Sequence, residues 1–234
     1  MIWLLSVHKD KFMDDKNPRE KDAELLAKKL RFRGITDDRV LRAIATVPRH
    51  LFVEKILYEE AYHDKPLPID KGQTISQPFT VAYQTQLLQL KEKDKVLEVG
   101  TGSGYQAAIL CEIVKEVYSI ERYESLHLKA KRILAMLNYQ AHLFFGDGYE
   151  GLPQYAPFDK ILITAAVKEV PTHLLSQLAI GGRMVLPIGG QMGQVMTAID
   201  RLTEDDFHRL RFETFIFVPM IKGTIKNEEH QEED

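Results

Sequence analysis

The chain has 234 residues, with 31 Lys plus Arg against 34 Asp plus Glu for a net charge of −3, and is 44% hydrophobic and 28% charged. That balance belongs to an ordinary globular protein, and it excludes a fibrous or wholly disordered chain and a protein held to nucleic acid mainly by a basic surface. A single cysteine, Cys111, excludes an internal disulfide framework.

No stretch reaches the roughly 18–20 apolar residues needed to span a bilayer, and the opening MIWLLSVHKDKF has no basic region ahead of its short apolar run. The sequence therefore predicts no membrane association and a cytoplasmic protein. Residues 8–22 are mostly charged and are expected to form a mobile lead-in. Trp3, near the start, is expected to pack or to move freely rather than to bind a ligand. A helix is predicted over 20–33, with Leu25, Leu26 and Leu30 on one face and Gly34 stopping it. Thr36 is expected to cap a second helix whose apolar face is Val40, Leu41, Ile44 and Ala45, ended by Pro48. Both precede any strong strand, so residues 1–80 read as a mostly helical cap.

From residue 96 the pattern changes to strand–helix alternation. Strands are predicted at 96–99, 117–120, 142–145 and 160–166. Helices are predicted at 107–114, at 125–139 and from Pro171. The segments 183–189, 194–202 and 210–219 alternate more and are joined by short turns. The expected fold is α/β: a Rossmann-like, mostly parallel sheet with antiparallel edge strands behind the helical cap. The main domain is expected over 81–225, followed by a solvated acidic tail at 226–234.

The most informative stretch is Val96-Leu97-Glu98-Val99-Gly100-Thr101-Gly102-Ser103-Gly104-Tyr105. A buried strand runs into three alternating glycines and then a helix. Glycine lets the backbone turn sharply and approach a ligand, and the new helix offers free N–H groups. No lysine follows, so this is not a phosphate loop, and the third glycine comes one residue early for a dinucleotide fingerprint. Glu121, at the end of the next strand, is placed to accept both hydrogens of a ribose diol. Asp147, in Gly146-Asp147-Gly148 after the third strand, is placed to meet a base edge. Together these features suit a nucleoside without a pyrophosphate, and S-adenosyl-L-methionine fits that description.

Further motifs narrow the reading. Val47-Pro48-Arg49-His50-Leu51-Phe52-Val53, Ala61 to Ile69, and Gly72-Gln73-Thr74-Ile75-Ser76-Gln77-Pro78 join the loop from Leu97 to Gln106, Gly146-Asp147-Gly148 and Pro157-Phe158-Asp159. Over about residues 40–190 this set resembles the protein-L-isoaspartate (D-aspartate) O-methyltransferases. The Gly-Gln-Thr-Ile-Ser-Gln-Pro stretch sets the resemblance apart from methyltransferases in general. Two features depart from the family pattern: the charged Asp70-Lys71 before Gly72, and the first 20 or so residues.

The resemblance implies methyl transfer from S-adenosyl-L-methionine to the free α-carboxylate of L-isoaspartyl residues in damaged proteins. The resulting ester closes to a succinimide, whose hydrolysis restores some normal aspartate. It implies Ser76 as the active-site residue, orienting the acceptor. It places Thr74, Ile75, Glu98, Gly100, Thr101, Gly102, Ser103, Gly104, Glu121, Asp147 and Gly148 around the cofactor. Glu98 is expected either to reach the methionine amino group through water or to hold the loop by accepting backbone N–H bonds. Isoaspartyl proteins are the expected partners, with no nucleic acid, no membrane and a monomeric chain. No metal is expected, because the eight histidines form no ligand-like spacing. Cys111 reads as a small core residue. His63-Asp64 reads as part of the substrate-channel segment rather than as a base with its orienter. Alternative readings are a methyltransferase for another acceptor, a non-catalytic adaptor that binds cofactor or damaged protein, and an NAD-dependent oxidoreductase.

Overall fold

The structure, a computed structural model, describes residues 18–190 and 192–227. Trp3 and the acids at 228–234 lie outside the described residues. So does most of the lead-in, but residues 18–22 do not share its expected looseness. They form the start of α1 (Pro18–Phe32), which buries Ala23, Leu26, Ala27 and Leu30 and leaves Leu25 facing solvent. Gly34 ends it in the left-handed region (φ +99), its N–H on Arg31 O and the Ile35 N–H on Leu30 O.

Helix α2 (Asp38–Thr46) is capped by Asp37 rather than Thr36: the Asp37 carboxylate accepts from Arg39 N at 2.9 Å. The backbone N–H groups of Thr36 and Asp37 donate instead to Gln86 Oε1, at 2.6 and 3.0 Å. Two 3₁₀ turns (Arg49–Phe52 and Lys55–Glu60) lead into a small antiparallel ribbon of β1 (Leu67–Pro68) and β2 (Thr74–Ile75). Helix α3 (Pro78–Leu87) follows, with Asp64 Oδ1 capping it from a distance through Phe79 N at 2.8 Å. The sequence predicts neither the ribbon nor α3. Two-residue strands carry no period, and α3 is buried all round, through Phe79, Val81, Ala82, Gln84 and Thr85, so it shows no apolar stripe. Residue 80, where the cap is expected to end, falls inside α3.

The main sheet contains β3 (Lys95–Val99), β4 (Glu116–Glu121), β5 (Ala141–Phe145), β6 (Phe158–Ile163), β7 (Leu178–Gly190), β8 (Gly193–Arg201) and β9 (Phe207–Phe215). Helices α4 (Tyr105–Cys111), α5 (Glu124–Met136) and α6 (Thr172–Ser176) lie between them, the last with Pro171 just ahead of its first turn. The order is β5-β4-β3-β6-β7-β8-β9, parallel from β5 to β7 and antiparallel at β8 and β9. This is the expected Rossmann-like architecture. Both faces are covered: Val96, Val117, Leu162 and Val185 join the core under the cap helices, while Leu97, Val99, Ile161 and Leu186 form a second core. Burial on both faces is why these strands read as unbroken apolar runs. Among the described residues no helix is long and apolar enough to cross a membrane.

The predicted strand 210–219 ends at Phe215. Residues 216–227 instead run back over the carboxyl ends of the strands. Phe217 N donates to Gln194 Oε1, Ala166 N to Val218 O, and Ile225 N to Arg122 O, each at 2.8 Å. This strap spans the sheet from β8 to β4.

Candidate active site

The chain leaves β3 for β4 on one side and returns to β6 on the other, so strand order reverses beside β3. Ligands in open α/β sheets sit at such a point, beyond the carboxyl ends of the strands. A cavity lies there, enclosing about 830 Å³ with its open mouth. Gly100–Ser103 form one wall and Thr74–Ser76 another. Ile120–Tyr123, Gly148 and Thr164 extend it, and strap residues Val218–Ile221 close the far side.

The glycine loop is shaped by its surroundings. Gly100 sits at φ +99, and a Cβ there would lie 2.5 Å from Thr164 Oγ1. That hydroxyl donates to Val99 O and Gly100 O, at 3.0 and 2.8 Å, and fixes the end of β3. Gly104 (φ +90) opens α4, and Ser103 Oγ accepts from Tyr105 N at 3.3 Å. Gly148 also lacks room for a side chain, since a Cβ would lie 2.7 Å from Val99 Cγ1.

Glu121 lines the cavity and is buried. Its Oε2 accepts from Gly102 N at 2.8 Å and its Oε1 from Tyr123 N at 2.9 Å. Each carboxylate oxygen keeps a further lone pair, so a ribose diol can be bound without releasing the loop. Asp147 is placed differently from the expectation. Its carboxylate accepts from Tyr149 N at 2.9 Å and Gly223 N at 2.6 Å, tying the turn after β5 to the strap, and it does not line the cavity, although Gly148 does.

Glu98 also lies behind the cavity wall. It is fully buried, takes a hydrogen bond from the Ser119 hydroxyl and accepts no loop N–H; its Oε1 has no partner among the described residues. Ser119 Oγ in turn lies 2.6 Å from Thr101 Oγ1, so Glu98 reaches the loop through two hydroxyls. Burial pushes its carboxyl up to about 8, far above the usual range.

Thr74 is exposed and Ile75 buried in β2, and Ser76 follows at the cavity wall. The Ser76 hydroxyl engages no described residue and is free for a ligand. Its carbonyl accepts from Arg49 Nη2 at 2.9 Å. The structure therefore brings Ser76, Thr74, Ile75, Gly100, Thr101, Gly102, Ser103, Glu121 and Gly148 to one cavity, and sets Glu98, Asp147 and Gly104, which packs against Ala130 and Leu134, outside its lining. Sequence reasoning misses Thr164 and the strap. Thr164 follows directly on an apolar run, and Val218-Pro219 reads as the end of a strand. His63 and Asp64 do not face each other as a catalytic pair: Asp64 pairs with Arg33 and caps α3. Cys111 is half-buried, and burial raises its thiol to about 12. No group of three potential metal ligands occurs among the described residues.

The sequence model of the protein-L-isoaspartate(D-aspartate) O-methyltransferase family matches residues 20–225. A protein-L-isoaspartate O-methyltransferase of Christiangramia forsetii is 49% identical over 211 residues, covering 90% of this chain and 99% of its own. One from Salinibacter ruber is 48% identical over 218 residues, covering 89% and 94%. A solved protein-L-isoaspartate O-methyltransferase superposes with a TM-score of 0.78 at 28% identity, over 84% of this chain and 65% of that longer one. A Plasmodium falciparum structure in complex with S-adenosyl-L-homocysteine gives a TM-score of 0.74 at 25% identity, over 86% and 99%.

Proposed function

The chain belongs to the protein-L-isoaspartate (D-aspartate) O-methyltransferase family, and on that premise we propose that it esterifies the α-carboxylate of L-isoaspartyl residues in damaged proteins. The observation that carries this reading is the convergence of the glycine loop, Glu121 and the Ser76 turn on one cavity at the strand-order reversal. The residues fit the cofactor of the family. Gly100 and Gly148 are bare where a Cβ would collide, and Glu121 keeps lone pairs for a ribose. S-adenosyl-L-methionine, when bound, supplies an electrophilic methyl on a sulfonium.

The acceptor needs no base. An α-carboxyl group has a pKa of about 3.3–3.7 and is already ionised at neutral pH. An acceptor oxygen held at the Ser76 turn would take the methyl group that the bound donor would supply, with Glu121 holding the donor's ribose. A cation and an anion become two neutral groups, so water that solvates the charges opposes the step. Ser76 orients the acceptor oxygen with its free hydroxyl, while Thr74 and Ile75 form the turn that presents it. Val218–Ile221 cover the opposite wall. Holding the two reactants in line can contribute up to roughly 7–11 kcal/mol in favourable cases. A single chain supplies Ser76, Glu121 and the glycine loop together, so the proposed form is a monomer acting on isoaspartyl proteins.

The test uses labelled S-adenosyl-L-methionine and paired peptides differing only in L-isoaspartyl against L-aspartyl at one position. Base-labile label is expected on the isoaspartyl peptide alone. Label on neither peptide, with cofactor still bound, overturns the assignment in favour of another acceptor or an adaptor. Label on both removes the isoaspartyl specificity.

A further inference from the structure

Arg49 is a fully buried arginine directly behind the Ser76 turn. Its Nε donates to Ala61 O at 2.8 Å and its Nη2 to Ser76 O at 2.9 Å. Its guanidinium carbon lies 4.8 Å from the centre of the Tyr105 ring, and Tyr105 lines the cavity. Nη1 is buried and, among the described residues, makes no hydrogen bond of good geometry, with the Tyr105 hydroxyl its nearby polar neighbour. No carboxylate among the described residues lies within ion-pair distance of Arg49. Asp64, the nearby acid, is paired with Arg33 and bonded to Phe79 N.

Burying a charge without a counter-ion is costly, and the protein interior normally supplies a partner acid. Two carbonyls satisfy two of the guanidinium's donors but leave its charge uncompensated, and the arginine stays protonated. The cation is in direct contact with two residues of the cavity lining, the Ser76 carbonyl and the Tyr105 ring. We propose that Arg49 is a positioning residue whose uncompensated charge draws the anionic acceptor carboxylate to the Ser76 turn. This rests on the acceptor chemistry proposed above. It also predicts a directional effect: the neutral methyl ester gains nothing from the cation, so the charge that collects substrate does not retain product.

The test separates charge from bracing. With S-adenosyl-L-homocysteine bound, calorimetry measures the affinity of an isoaspartyl peptide and of its isoasparaginyl twin, whose α-carboxamide is neutral and of similar shape. The wild-type protein is expected to favour the carboxylate by roughly tenfold or more, as a cation acting through a partly buried wall should. Arg49→Met is expected to bring that ratio within about threefold of unity, while Arg49→Lys retains most of it.

A Met variant that binds S-adenosyl-L-homocysteine normally and keeps the wild-type ratio overturns the proposal, as does one that weakens both peptides equally. If Arg49→Met does not fold, Arg49→Lys decides, because an ammonium loses the two-carbonyl fork and keeps the charge. Retention of the ratio then supports the proposal, and its loss overturns it. A wild-type protein that binds the cofactor product but neither peptide refutes the assigned acceptor itself, a result distinct from a changed ratio.

Discussion

Glu121 and Gly102 are joined across the cavity floor by a hydrogen bond of 2.8 Å, from the loop N–H to the strand-end carboxylate. The acid assigned to the ribose therefore also holds the loop against which the cofactor rests. Hydrogen bonds to a charged acceptor are worth about 1.5–3 kcal/mol each. Glu121→Gln keeps the shape and loses the charge. It is expected to weaken S-adenosyl-L-homocysteine binding about tenfold or more, with kcat at saturating cofactor changed by less than about threefold. Calorimetry and steady-state kinetics check this, and unchanged affinity removes Glu121 from the site.

Ser76 predicts the opposite pattern. Its hydroxyl is unengaged at the cavity wall while its backbone is held by Arg49. Ser76→Ala is therefore expected to leave the turn and the cofactor site intact. Turnover of an isoaspartyl peptide should fall at least tenfold, about 1.4 kcal/mol of transition-state stabilisation. Cofactor affinity should change by less than about twofold. Equal losses in both would make Ser76 part of the scaffold instead.

Gly100 carries two separate demands, a positive φ and a void beside Thr164. Gly100→Ala is expected to destabilise the protein by about 2 kcal/mol or more, from left-handed strain plus overpacking. On a Thr164→Ala background, which also lacks the hydroxyl bonds to Val99 O and Gly100 O and serves as the reference, the collision is gone and only the strain remains. Thermal unfolding of the double variant against that reference should recover part of the loss. Full recovery would show that the void alone requires glycine.

The parts of this molecule that were legible in the sequence are those with a period or a motif. β3, β4 and β6 are buried on both faces and stand out as apolar runs, and the glycines mark the loop between them. The Ser76 turn was legible only through family resemblance, because two-residue strands leave no pattern. The strap was hidden for a different reason. Its backbone is irregular, and its anchors lie far away in sequence, as with Arg122 and Gly223, separated by 101 positions. Glu98 and Asp147 show a third limit. Sequence marks an acid near the loop but not which neighbours already occupy its lone pairs.

Asp147 and Gly223 form the latch between the turn after β5 and the strap. Asp147→Ala is expected to free residues 218–225. Hydrogen exchange at Met220 and Ile225, whose N–H groups donate to Ala166 O and Arg122 O, should accelerate about tenfold or more. Cofactor affinity should fall with it, because the strap closes one wall of the cavity. Faster exchange with unchanged affinity would confine Asp147 to the latch, and slow exchange would show that the strap is held without it.

Glu98 makes the stability of the protein depend on pH in a defined direction. Its carboxyl titrates at about 8 when folded because burial penalises the charged form, against about 4.3 in the unfolded chain. Between those values the folded state holds a proton that the unfolded state has released. This contribution is fully present below about pH 4.3, declines by about 1.4 kcal/mol per unit as pH rises, and is lost above about 8. Glu98→Gln keeps an acceptor for the Ser119 hydroxyl and removes the titration. Its melting temperature relative to wild type should therefore climb steadily from pH 5 to pH 8 and level off above. A difference that stays flat across that range would mean that Glu98 is already ionised in the folded protein, with its orphaned Oε1 satisfied by water.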